Sequence, residues 1–135
     1  DILTPKVIVN CAAWTAVDLA ELHEEEAYRV NAEAPKSLAF WCAENDAHLI
    51  HVSTDYVFSG TRLLFEPYLE SDVTDPVSVY GCSKHLGEQN IQNAGWEKYS
   101  IVRTAWLYSA DGHNFLKTIL TLELEIFYLD SVLYF

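Results

Sequence analysis

Positive charge is what this sequence has least of: its 135 residues hold eight Lys and Arg against twenty Asp and Glu, a formal net charge of -12. So acidic a chain does not bind DNA, RNA or anionic membrane nonspecifically, although an anionic small ligand held by local donors remains compatible with it. Cysteine is sparse too. Cys11, Cys42 and Cys82 are odd in number, lie far apart and form no Cys-x-x-Cys, which argues against a disulfide framework or a zinc ribbon and suits a reducing cytoplasm. The histidines are scattered, with His48 opening a strand-like stretch and His51 on one of its faces. No His-x-x-x-His falls on a helix, so no metal site is expected from these side chains. There is no signal-peptide pattern, no apolar run of membrane-spanning length, no internal repeat and no low-complexity segment. The expectation is a cytoplasmic protein without a membrane partner.

What is present describes a globular α/β domain. Half the residues are apolar and 13% are aromatic, enough for a real core in one domain but not in two. The apolar run at 6–10, Lys6 to Asn10, reads as a buried strand running out into the small residues Cys11, Ala12 and Ala13. Asp18 and Glu21 form a capping-box-like helix start, and helix is expected from there to Ala43 with a break near Asn31 or Pro35. Tyr28, Val30, Leu38, Phe40 and Trp41 are its expected core residues. The stretch 48–53 is a second strand ending in Ser53-Thr54-Asp55-Tyr56. Residues from Ser59 to about Ser78 read as a loop long enough to be a lid or a substrate wall. A helix then carries Tyr80 and Lys84 and stops at Gly95, a third strand covers 99–104, and Asn114 can cap a last helix beginning at Phe115. Strands alternating with helices imply a parallel sheet, whose ligands bind beyond the carboxyl ends of the strands.

The chemistry is densest at Tyr80 and Lys84. Residues four apart share a helix face, so the lysine's charge is expected near the phenol, favouring its ionised form and fitting it for proton transfer. Three strand ends gather polar and aromatic groups on the same rim: Ala12-Ala13-Trp14-Thr15, Ser53-Thr54-Asp55-Tyr56 and Thr104-Ala105-Trp106.

Four ordered motifs carry a resemblance. They are Asn10-Cys11-Ala12-Ala13-x-Thr15-Ala16-Val17-Asp18-x-Ala20-Glu21, Ser53-Thr54-Asp55-Tyr56-Val57-Phe58-x-Gly60, Val79-Tyr80-Gly81-x-Ser83-Lys84-x-x-Gly87-Glu88 and Arg103-Thr104-x-Trp106-x-Tyr108. In order and spacing the chain, from about Lys6 to Leu120, resembles the dTDP-4-dehydrorhamnose reductase family of the extended short-chain dehydrogenase/reductase superfamily. The resemblance implies a partial Rossmann-like parallel sheet, with 1–121 as the second half of an NAD(P)-binding domain and 122–135 as an apolar tail that departs from the family. The glycine-rich turn of the first unit and the substrate domain are not in these residues, so an inactive fragment is one implied reading, with the first strand left as an edge.

The same resemblance assigns roles. Tyr80 would protonate the C4 carbonyl oxygen, Lys84 would hold the nicotinamide ribose, and Thr54 would hydrogen-bond the carbonyl. Ala12, Ala13, Thr15 and Val52, with Tyr80 and Lys84, would face NADPH or NADH. Asp55, Tyr56, Trp106 and Thr54 would meet the dTDP-sugar substrate. Asn31 resembles a helix-kinking asparagine of the superfamily, though capping or local bending explains it equally. Mg2+ in the full-length enzyme and a homodimer are compatible with the family. The alternative function is that of a non-catalytic regulatory subunit of the methionine adenosyltransferase β type, which shares the fold and the Tyr-x-x-x-Lys.

Overall fold

The computed structural model describes residues 4–62, 66–112 and 114–121. The apolar tail expected at 122–135 lies outside the described residues. The chain divides into two compact units, Asp1–Arg103 and Thr104–Phe135.

In the first unit the strands fall where the apolar runs predict: β1 Val7–Asn10, β2 His48–Thr54 and β3 Tyr99–Thr104, forming one open parallel sheet in the order β1-β2-β3. Val7 pairs with His48, Ile8 with Leu49, Val9 with Ile50 and Asn10 with His51. Paired residues of a parallel ladder point the same way, so Ile8, Leu49, His51 and Ser53 share one face. His48 lies on the other, where its ring meets Ser100 Oγ at 2.9 Å.

The helical stretch is divided differently from the sequence reading. It comprises α1 Val17–Ala20, α2 Glu24–Tyr28, a π-helical turn Arg29–Glu33 and α3 Ala34–Asn45. The expected capping box does not form. Ala16 precedes α1 without a side-chain cap, and Glu21 instead accepts the Val79 N–H at 2.9 Å, capping a helix 58 residues away. The irregularity expected near Asn31 is the π turn. Pro35 causes no break, because it sits in the first turn of α3, where a helix tolerates a missing N–H. Phe40, expected in the core, is exposed. The core consists of Ala39, Cys42, Ala47, Leu49 and Ile91, flanked by Ile8, Leu38, Trp41, Trp96 and Tyr99.

The fourth helix, α4 Val79–Gln92, starts at Ser78, whose Oγ accepts the Gly81 N–H at 3.1 Å. It ends before Gly95, which takes φ +67°. Gly87 lets α4 touch the π turn: a Cβ there would overlap the Asn31 carbonyl oxygen. The first unit is tied across the sheet by Glu88, buried on α4, which accepts Ser53 Oγ at 2.5 Å and the Arg103 guanidinium at 2.7 Å.

In the second unit, a helix covers 115–121 and Asn114 Oδ1 accepts the Lys117 N–H at 3.1 Å, the predicted cap.

Candidate functional site

The carboxyl end of β2 and the first turns of α4 meet in one place because Gly81 allows it. Any Cβ there would overlap the Tyr56 carbonyl oxygen, so helix and strand exit lie in backbone contact. Five of the expected residues, Thr54, Asp55, Tyr56, Tyr80 and Lys84, stand on these two elements and the turn between them.

Thr54 is buried, with its Oγ1 accepting the Tyr56 N–H at 3.2 Å. Its one hydroxyl proton serves Asp55 Oδ1 at 3.2 Å, and the hydroxyl lies near enough to the Tyr80 phenol to influence its titration. Tyr56, half exposed, sets its ring edge-on to Tyr80 with centroids 5.5 Å apart. Asp55 stands exposed beside them.

Lys84 is fully buried. Its Nζ donates to the Val52 carbonyl at 2.7 Å and lies 3.5 Å from His51 Nε2. Burial lowers its pKa to about 8, with the Glu88 carboxylate acting the other way. His51, also fully buried, is pushed down to about 4 by burial and then by the Lys84 charge, with Glu88 opposing.

The phenol behaves differently from the sequence expectation. Burial raises the Tyr80 pKa, the neighbouring Thr54 hydroxyl lowers it in part, and Asp55 and Tyr56 raise it again. The lysine's charge does not offset the burial, because Nζ is turned onto β2. A phenol held protonated is a proton donor rather than a base.

At the exit of β1, Ala12 and Thr15 are exposed and Ala13 is half-buried. Their backbone is held by two asparagines. Asn10 Oδ1 accepts the Ala12 N–H at 3.1 Å, and its Nδ2 meets His51 Nδ1 at 3.0 Å. Asn31 accepts the Trp14 N–H at 2.9 Å and donates to the Trp14 carbonyl at 3.2 Å and to Ser83 Oγ at 3.0 Å. Ser83 in turn donates to the Tyr80 carbonyl at 2.9 Å. Asn31 therefore ties the β1 exit to the turn of α4 that bears Tyr80, a role beyond kinking its own helix.

Trp106 belongs to the other unit. There it is two-thirds exposed at 66%, takes φ +52° and rests against Phe115 with ring centroids 4.2 Å apart.

Sequence reasoning missed Asn10, His51, Ser83 and Glu21 as parts of this construction. Asn10, Ser83 and Glu21 stand inside the motifs quoted above, and His51 lies three residues before Thr54, but a strand or helix residue gives no local sign of a partner on another element.

Among the described residues no group of three or more His, Cys, Asp and Glu could hold a metal ion, and no helix is long and apolar enough to cross a membrane. For a nicotinamide cofactor the donor set fits. Small side chains leave the β1 exit open to a dinucleotide, and Lys84, fully buried with one N–H on Val52, has further N–H groups that reach a diol only by turning toward the rim.

A parallel sheet that sets Thr54, Tyr80 and, one turn on, Lys84 at the carboxyl end of β2 defines a protein of the Rossmann-like class. Within that class the chain belongs to the family described as the RmlD substrate binding domain, whose model matches residues 1–130. It is 47% identical over 121 residues to the dTDP-4-dehydrorhamnose reductase of Streptomyces griseus, covering 90% of this chain and 39% of that protein. It is 45% identical over 119 residues to the dTDP-4-keto-6-deoxy-D-glucose reductase of Streptomyces niveus, covering 88% of this chain and 41% of the other. The crystal structure of dTDP-4-dehydrorhamnose reductase from Bacillus anthracis in complex with NADP superimposes with a TM-score of 0.84 at 43% identity, over 90% of this chain and 42% of that one. The chain thus spans about two fifths of the length of these relatives, 39–41% for the two Streptomyces proteins.

Proposed function

We propose that the chain carries the catalytic rim of an NAD(P)H-dependent reductase that converts dTDP-4-dehydro-β-L-rhamnose to dTDP-L-rhamnose, acting in the cytoplasm. The observation that carries the reading is the close approach of α4 to the β2 exit, which brings the buried Thr54 hydroxyl beside a Tyr80 phenol that burial keeps protonated. The reductase names of the relatives, and NADP in one of them, support it. None of these relatives speaks for a methionine adenosyltransferase subunit.

A bound nicotinamide cofactor supplies the hydride. The chain's own groups then do the rest. Tyr80 donates its phenolic proton to the carbonyl oxygen as negative charge develops there. Thr54 Oγ1–H turns from Asp55 to the same oxygen and orients it. Lys84 holds the ribose hydroxyls with the N–H groups not used on Val52. Ala12, Ala13, Thr15 and Val52 form the cofactor-facing surface, and residues 1–121 are the second half of its binding domain. Asp55 accepts a sugar hydroxyl, while Tyr56 offers an aromatic face to the sugar nucleotide. The name of the Streptomyces niveus relative makes dTDP-4-keto-6-deoxy-D-glucose the second candidate 4-keto sugar.

The test is NADPH oxidation by the full-length polypeptide with each 4-keto dTDP-sugar. Turnover is expected, with Tyr80→Phe lowering kcat/KM by about 10²- to 10⁴-fold, the usual weight of a general acid. No turnover of either sugar, or an unimpaired Tyr80→Phe variant, overturns the reading. Fluorescence titration of the chain itself with NADPH and NADH, Lys84→Ala alongside, reports separately on whether these residues hold the nicotinamide half without the glycine-rich turn.

A further inference from the structure

His51 is placed oddly for a core histidine. Its Nδ1 faces an amide and its Nε2 faces an ammonium-bearing side chain, so the ring lies between two nominal donors. The hydrogen-bond pattern resolves which nitrogen carries the proton. Asn10 cannot flip, because its Oδ1 is fixed by the Ala12 N–H at 3.1 Å; its Nδ2 therefore points at His51 Nδ1 and donates to it at 3.0 Å. A neutral imidazole that accepts at Nδ1 must carry its hydrogen on Nε2, the nitrogen 3.5 Å from Lys84 Nζ.

An N–H so placed opposes a second donor. Against an ammonium it meets a hydrogen; against an amine it meets a lone pair and can donate to it. We propose that His51 is a positioning residue for the Tyr80–Lys84 pair: held by Asn10 as the Nε2–H tautomer, it turns an N–H toward Lys84 Nζ and favours the amine over the ammonium. The backbone of the β1 exit, through Ala12 and Asn10, thereby sets the charge state of a side chain on α4.

The other charged groups in reach do not provide this. Glu88, one turn beyond Lys84 on the same helix, favours the ammonium, and its carboxylate is already engaged by Ser53 from β2 and Arg103 from β3. Tyr80, one turn before, is held neutral. The Val52 carbonyl takes one hydrogen from Nζ in either charge state. Burial already lowers the Lys84 titration to about 8, which brings the amine within reach of neutral pH for His51 to favour.

What this does for hydride-transfer chemistry rests on the reductase reading; the tautomer and the lysine's titration do not, and they are measured without substrate. Two-bond proton–nitrogen correlation spectra of the 15N-labelled chain identify the His51 tautomer, and the Lys84 side-chain nitrogen reports its titration. The wild type is expected to show the Nε2–H pattern from about pH 5 to pH 9, because the ring stays neutral throughout that range. Asn10→Asp keeps the acceptor for Ala12 but turns an acceptor toward Nδ1. The ring then becomes Nδ1–H, presents its Nε2 lone pair to Lys84, and the lysine titrates about one pH unit or more higher, a tenfold change in its ionisation constant. In a His51→Phe background the same Asn10→Asp substitution moves Lys84 by less than half as much, which separates the tautomer from the new charge on residue 10. An Nδ1–H pattern in the wild type overturns the proposal, and needs no variant to fold. So does a Lys84 titration that Asn10→Asp raises equally with and without the imidazole.

Discussion

His51 and Lys84 are bases buried at a cost, and the sign of that cost is fixed by their titration. Each has a folded pKa below its free value: about 4 against 6.5 for His51, about 8 against 10.5 for Lys84. Between each pair of values the unfolded chain holds a proton that the folded chain does not. Stability therefore rises with pH through both windows and falls as acid is added from 6.5 toward 4. At roughly 1.4 kcal/mol per pH unit, lowering the pH from about 7 to 4.5 should remove about 2 to 3 kcal/mol through His51 alone. Urea denaturation at the two pH values checks this: His51→Phe, if it folds, should lose less stability on acidification than wild type by that amount. An equal loss in both would assign the acid sensitivity to the carboxylates. Of these two groups Lys84 was singled out in the sequence by its four-residue spacing from Tyr80, although the partner it finds is the Val52 carbonyl on β2. His51 was not, since its neighbours Asn10 and Lys84 arrive from a different strand and a helix, and no spacing encodes that.

The elements meet where side chains are smallest. The helix bearing Tyr80 and Lys84 approaches the π turn Arg29–Glu33 through Gly87, against the Asn31 carbonyl, and approaches the β2 exit through Gly81. Gly87→Ala should cost about 3 kcal/mol, at the upper end for overpacking, because the atom it meets is backbone and cannot step aside. Gly95→Ala is the comparison: φ there is +67° with nothing within 4 Å, so only local strain of about 1 kcal/mol is expected. Thermal unfolding of both variants measures the difference, and a Gly87→Ala no worse than Gly95→Ala would mean that α4 moves off the π turn freely. The sequence located an irregularity near Asn31 but could not name its kind. A π turn is selected by what Asn31 reaches, the Trp14 backbone and Ser83, and both are remote in sequence. The Asp18 and Glu21 pattern misled for the same reason. The spacing suits a local capping box, yet the carboxylate finds a better-placed N–H at Val79, where negative charge also meets the positive end of a longer helix.

At the scale of the molecule the sheet follows directly from the sequence: three apolar runs separated by helical stretches give parallel strands in chain order, with β1 at an edge as expected. What a run of apolar residues does not announce is which of its faces will be covered. Ile8 and Leu49 pack on the core face, whereas Val7 and Val9 lie on the opposite face with exposures of 53% and 58%. Val102 joins them at 43%, two residues beyond the Ser100 that meets His48 on that side. Parallel sheets bury both faces when complete, so this valine surface is expected to bind apolar dye strongly in the isolated chain. Replacing Val7 and Val9 by Thr keeps the branched shape that suits a strand and exchanges a methyl for a hydroxyl at each position. Dye fluorescence should then fall severalfold while the melting temperature moves by only a few degrees, the change expected for surface substitutions worth under about 1 kcal/mol. Unchanged dye binding in the double variant would move the exposed apolar surface elsewhere, and a collapse of the melting temperature would show that the two valines are packed rather than open.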